Sequence, residues 1–155
     1  IATNYGNEIC LGATAGDRVL DKSPIFADMY EQLLNYLYQK QHWTEERKIR
    51  INLDFKKYTK AQLVRIYKEQ GGDIEDAFAS SFSCYSPEDG KECWKCKPCF
   101  RKFIAFALNG YPFSKAIIDA NLAYIKREIL PLIESGCYGR KQEEEEIMKV
   151  LTIYK

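Results

Sequence analysis

Apolar positions recur along this chain with two different periods. Residues 8–13, Glu-Ile-Cys-Leu-Gly-Ala, form a short, mostly apolar run ending in small residues. That pattern predicts a buried strand opening into a loop at its C-terminal end. The loop continues through Thr14-Ala15-Gly16-Asp17 to Asp21-Lys22-Ser23-Pro24. Phe26, Met29, Tyr30, Leu33, Leu34 and Leu37 then fall at helical spacing, and Ile49, Ile51 and Leu53 alternate with Arg50 and Asn52 as a second strand. Thr59 stands where an N-cap belongs, ahead of a helix through Leu63, Ile66 and Tyr67 that stops at Gly71-Gly72.

Downstream the helical period dominates. Residues 100–108 read as a helix ended by Asn109-Gly110, and Tyr111-Pro112-Phe113 is a break. Ser114 can cap a further helix through Ile117, Ile118, Leu122 and Ile125, and Pro131 marks a bend. Residues 143–155 predict a last helix. Its four leading glutamates, Glu143 to Glu146, suit the positive end of the helix dipole and read as a solvated face. Strand, helix, strand, helix is an α/β order with a helical tail. Two strands are few for an open sheet, and the chain opens on Ile1 instead of Met. Both points lead to the expectation of further sequence upstream.

Composition changes this picture little. Of 155 residues, 46% are apolar and 29% charged, as in a globular domain, and the net charge of +1 creates no field that would draw nucleic acid. No apolar run approaches the roughly 20 residues of a membrane span, and the N-terminal segment from Ile1 to Gly6 lacks the basic flank and apolar core of a signal peptide.

The cysteines change it most. Cys84, Cys93, Cys96 and Cys99 crowd one segment, with eight residues between the first two and two residues within each later pair. Thiolates at C-x-x-C spacing reach one ion, and four of them complete a tetrahedral shell at roughly 2.3 Å from zinc. A closed tetrathiolate zinc site in a reducing compartment is the leading reading. A disulfide framework and an iron–sulfur or redox role are the alternatives. Four thiolates leave no position for water, so the zinc is expected to be structural.

Read in order, these features resemble the 7-cyano-7-deazaguanine synthases, the QueC-type members of the N-type ATP pyrophosphatase (PP-loop) class. The resemblance is carried by Leu11-Gly12-Ala13-Thr14-Ala15-Gly16-Asp17, by Asp21-Lys22-Ser23-Pro24-Ile25-Phe26 and by Thr59-Lys60-Ala61-Gln62-Leu63-Val64. It continues in Ser81-Phe82-Ser83-Cys84-Tyr85 and in Cys93, Cys96, Cys99 and Arg101, followed by Ala105-Phe106. It runs to about residue 113. Three departures stand out. The family's Ser-Gly-Gly-x-Asp-Ser loop, which grips the ATP phosphates, occurs nowhere in the sequence, and Gly71-Gly72-Asp73 follows a helix and is no substitute. The family's Cys-Arg before the proline is Lys22-Ser23 here, and the glycine usual after the second zinc cysteine is Trp94.

The resemblance implies the C-terminal part of a parallel-sheet, adenine-nucleotide-hydrolase-like fold. Residues 1–80 would complete a nucleotide-binding domain, 81–113 would bear the zinc and its following helix, and 114–155 would be a helical extension. It implies an ATP-dependent ligase-like enzyme of the cytoplasm and of queuosine biosynthesis. Such an enzyme converts a 7-carboxy-7-deazaguanine-like acid to a nitrile through adenylation and ammonia, with Mg²⁺ neutralising the triphosphate. A chain without the phosphate loop would need an N-terminal PP-loop half, in the same or a separate polypeptide.

Substrate or nucleotide contacts would fall on Asp17, Asp21, Lys22, Lys60 and Arg101, with no catalytic residue assigned. Asp17 ends the first strand, where α/β sheets place ligands, and Lys60 opens a helix whose N-terminus favours phosphate. The plain alternatives are a loop cap for Asp17, a solvated lysine for Lys60, and a salt bridge pinning the zinc segment for Arg101. Tyr85 and Trp94 read as packing over the zinc loop before stacking on a base, and His42 stands alone on a polar stretch. Lys91, Lys95, Lys97, Arg101 and Lys102 form a basic patch, but Glu88, Asp89 and Glu92 offset it, so nucleic acid is not expected. The alternative to an enzyme is a non-catalytic, zinc-stapled binding module. The extension also leaves room for a homodimer, since an added helix pair often packs on a partner.

Overall fold

The computed structural model describes residues 6–155. The first five residues, which belong to the segment inspected for a signal peptide, lie outside them. Two compact units divide the chain, one ending at Lys57 and the other running from Tyr58 to Lys155.

The first unit is a β-α-β arrangement. Strand β1 (Glu8–Cys10), helix α1 (Pro24–Leu37) and strand β2 (Arg50–Asn52) follow in order, and β1 pairs parallel with β2 in the register Ile9 to Ile51. Ser23 caps α1 by accepting from the Phe26 amide, and Pro24 fills the first turn, where its missing N–H costs nothing. Ala27 and Leu34 of α1 bury against Ile49 and Ile51. Two polar side chains one turn apart on α1 close the outer edge of β2. Glu31 accepts from the Ile51 amide at 2.7 Å, while Asn35 accepts from the Ile49 amide at 2.7 Å and donates to the Ile49 carbonyl at 2.9 Å. These contacts satisfy outward-facing backbone groups that another strand would otherwise use. The expectation of a buried first strand is corrected here: Glu8 and Cys10 are exposed and Ile9 only half-buried. With two strands, one covered by a single helix, most of β1 stays open to solvent.

The second unit is helical: α2 (Lys60–Glu69), α3 (Ile74–Ser80), α4 (Lys97–Ala107), α5 (Lys115–Tyr124), α6 (Leu130–Glu134) and α7 (Lys141–Ile153). Thr59 forms a full capping box with Gln62 at the start of α2. Gly71-Gly72-Asp73 is the junction of two helices. Gly71 takes φ +87°, open only to residues that tolerate the left-handed region, and Asp73 caps α3 by accepting from the Glu75 and Asp76 amides. The bend expected at Pro131 takes a different form. The proline ring excludes the normal hydrogen bond to the preceding turn, and the chain widens into a π-turn over Ile125–Ile129 before α6.

Phe100, Phe103, Ile104 and Phe106 of α4 form the middle of the core of this unit. Around them close Ile125 and Ile129 from the π-turn and Ile147 and Val150 from α7, each no more than 2% exposed. The extension at 114–155 is therefore part of this core. Among the described residues, no helix is long and apolar enough to cross a membrane.

Candidate metal centre and anion-facing residues

Three local devices bring the four sulfurs together. The eight residues after Cys84 fold back through a hairpin turn in which Glu88 and Lys91 exchange backbone bonds at 3.0 and 2.9 Å. Asp89 and Gly90 at its tip both have positive φ, 49° and 73°, the geometry that Asp-Gly adopts readily. The turn after Cys93 places Trp94 at φ +55°. Cys96 then stands at the N-cap position of α4 without a side-chain cap bond, and Cys99 lies in its first turn, where the helix N-terminus favours thiolate.

All four sulfurs lie within 4.8 Å of one another, with Cys84 and Cys96 at 4.0 Å. A tetrahedron with metal–sulfur bonds of about 2.3 Å has edges of about 3.8 Å, so the donor set fits a tetrathiolate ion such as zinc. Backbone amides point at the sulfurs. Ser86 and Cys93 donate to Cys84 at 3.4 Å each, and Lys95 donates to Cys93 at 3.5 Å. Burial alone would raise the Cys84 thiol, but the Cys93 and Ser86 amides and the neighbouring thiols outweigh it and hold it at about 7. Burial pushes the Cys93 and Cys99 thiols up. Metal binding requires all four as thiolates, so a cation here would displace the protons that burial holds on Cys93 and Cys99. All six cysteines are unbridged, so the disulfide framework is set aside.

Trp94 occupies a backbone position that suits glycine, yet its ring stacks on Phe78 at 6.0 Å and meets Phe113 edge-on at 5.7 Å. Trp94→Gly would relieve about 1–2 kcal/mol of left-handed strain. It would also remove two aromatic pairs of about 0.5–1.5 kcal/mol each, together with the apolar burial of the indole. A net loss of about 1–3 kcal/mol is expected in urea unfolding. Tyr85, by contrast, is 86% exposed.

Of the five predicted binding residues, the first unit brings Asp17 and Lys22 together at 3.6 Å. Asp17 also accepts from the Thr14 amide at 2.9 Å, the loop-capping role, and Asp21 is exposed on the adjacent turn. Lys56, which sequence reasoning passed over, fastens this loop by donating to the Lys22 carbonyl at 2.7 Å. In the second unit, Lys60 and Arg101 line one small cleft with Glu143 and Glu146 of α7. Its free volume of about 10 Å³ is room for roughly one water. Glu143 gathers Arg101 at 3.3 Å, Arg140 at 2.9 Å and the Tyr138 hydroxyl at 2.8 Å. Glu146 accepts from the Thr59 hydroxyl. Reading the four glutamates as one solvated face therefore fails for these two, which face inward.

Burial pushes the Glu146 carboxyl above its ordinary 4.5, the Thr59 hydroxyl opposes that, and the Glu143 charge adds to it. The folded state thus holds the proton to higher pH than the unfolded one. Stability should fall as pH rises from about 4.5 through the raised value. Glu146→Gln keeps an acceptor for Thr59 and should remove that slope, which urea unfolding at about pH 4.5 and about pH 8 would measure.

No curated protein and no solved structure matches the chain. The family described as "Queuosine biosynthesis protein QueC" matches residues 2–110, a span that takes in both strands, the capped helix α2, all four clustered cysteines and Arg101. On that match over more than two-thirds of its length, the chain belongs to the QueC family.

Proposed function

We propose that this chain is the zinc-bearing, C-terminal part of an ATP-dependent 7-cyano-7-deazaguanine synthase-like enzyme with a PP-loop fold. It works with a Ser-Gly-Gly-x-Asp-Ser phosphate loop carried on residues other than these 155. The observation that carries the reading is the close four-sulfur cluster inside the segment matched to QueC.

The chemistry requires that a carboxylate oxygen, a poor leaving group, be turned into a good one. The acid attacks the α-phosphorus of ATP and releases pyrophosphate. Ammonia then displaces AMP from the acyl adenylate to give the amide and a proton. Adenylation of the amide oxygen by a second ATP releases a second pyrophosphate, and loss of AMP together with both amide protons leaves the nitrile. Mg²⁺ screens the triphosphate in each adenylation. In this reading Asp17, Asp21, Lys22, Lys60 and Arg101 are the substrate or nucleotide contacts, Lys60 meeting phosphate charge. Zinc held by Cys84, Cys93, Cys96 and Cys99 is structural, because four thiolates leave it no open position.

The test combines this chain with a polypeptide bearing the phosphate loop, Mg²⁺, ATP, ammonia and 7-carboxy-7-deazaguanine. AMP release together with the nitrile product, read by mass spectrometry, is expected. No AMP with any deazapurine acid would leave the zinc-stapled binding module as the function.

A further inference from the structure

Beside the sulfur cluster lies the most deeply buried ion pair among the described residues. The Lys102 side chain is 4% exposed and that of Glu92 8% exposed, with Nζ and Oε2 2.8 Å apart. Lys102 has three protons to donate, and three acceptors meet them: Glu92, the Phe78 carbonyl at 3.2 Å and the Ser81 carbonyl. Its ammonium also stands 4.0 Å from the centre of the Phe78 ring. The second oxygen of Glu92 accepts from the Ser83 amide at 2.6 Å.

The sequence positions give this network its meaning. Ser83 directly precedes Cys84, Glu92 directly precedes Cys93, and Lys102 sits about one helical turn beyond Cys99 on α4. One buried pair thus ties the approach to the first ligand, the turn of the second and the helix of the fourth. A buried ion pair contributes little net stability, since well-packed apolar replacements are often as stable. What it supplies is a fixed arrangement of three segments.

We propose that Glu92 and Lys102 are positioning residues for the metal centre. They hold the segments bearing Cys84, Cys93 and Cys99 in register so that the ion meets a preformed set of sulfurs. The inference rests on the reading of the cluster as a metal site. Without the pair, the ion must order these segments itself, and affinity falls. Outer groups that orient ligands typically change metal affinity by about ten- to a hundred-fold.

The experiment measures Zn²⁺ affinity by competition with a chromophoric chelator, and the visible spectrum of the Co²⁺-loaded chain, in the parent and three variants. Lys102→Met removes the charge at similar length. The double variant Lys102→Met/Glu92→Leu removes both charges and keeps a folded apolar contact even where the single variant does not fold. Ile129→Ala lowers stability from a core position away from the cysteines. Expected are a ten- to hundred-fold weaker zinc affinity and an altered cobalt spectrum in the Lys102 variants, with the parent cobalt spectrum in Ile129→Ala. Parent-like affinity and spectrum in the folded double variant would overturn the proposal while leaving the metal site in place. A parent chain that binds neither ion would overturn both.

Discussion

Removing the metal with a chelator is expected to strip hydrogen-exchange protection from residues 82–101 while leaving the amides of Phe103 to Ala107 and of Ile147 to Val150 protected. The segment has little else to hold it. Between Ser81 and Cys96 its only regular structure is the Glu88–Lys91 turn, and apart from the cysteines the side chains that anchor it are Glu92 and Trp94. Structural zinc supplies an apparent 10–16 kcal/mol, roughly, in small zinc-dependent peptides, more than a turn, one ion pair and the Trp94 packing can replace. Helix α4 should survive beyond its first turn, because Phe103, Ile104 and Phe106 are buried against the rest of the unit. Substituting Cys99 by Ser should reproduce the loss, since it removes a ligand at a position that is 0% exposed. Unchanged protection after complete metal removal would contradict the structural role.

The elements carried by periodicity and local chemistry were legible from residues alone. The helix of Phe26, Tyr30 and Leu34, the Thr59 cap and the Ser114 cap all follow from side chains interacting within one turn. So does the cysteine cluster, whose spacing and Asp-Gly turn need no distant partner. Helix α3 was missed because its seven residues are too few to show a period, and only the Asp73 cap marks its start.

What the sequence concealed were long-range polar contacts. Glu143 and Glu146 looked like solvated glutamates, because nothing local indicates that Arg101 and Thr59, far earlier in the chain, turn toward them. Lys102 did leave a trace. It stands on the same helical face as Cys99, Phe103 and Phe106, in a run otherwise apolar on that side. A lysine so placed has to bury its charge with a partner, and the nearby glutamate, Glu92, was available. Counting it among a basic surface patch overlooked that geometry.

Ending the chain at Gly110, where the match to the family stops, should abolish cooperative folding of the second unit. The residues beyond that point contribute Phe113, Ile125, Ile129, Ile147 and Val150 to the same core as Phe100 and Phe103. Removing them would expose the inner face of α4 to water, and each fully buried aliphatic or aromatic side chain is worth about 1.5–3 kcal/mol. Losing five such partners removes a sum comparable to the 5–15 kcal/mol, roughly, that holds a whole domain. A milder change tests the same point without deleting the tail. Ile147→Ala, at a site 1% exposed, should cost about 2–5 kcal/mol, whereas Met148→Ala next to it, 49% exposed, should cost much less. Urea unfolding followed by circular dichroism reads all three. The shortened chain should show a broad, shallow transition, Ile147→Ala a sharp one at lower urea, and Met148→Ala one close to the parent. A sharp, parent-like transition in the shortened chain would mean that the helices after Gly110 merely rest on a core complete without them, and the packing of Ile147 and Val150 against α4 argues against that outcome.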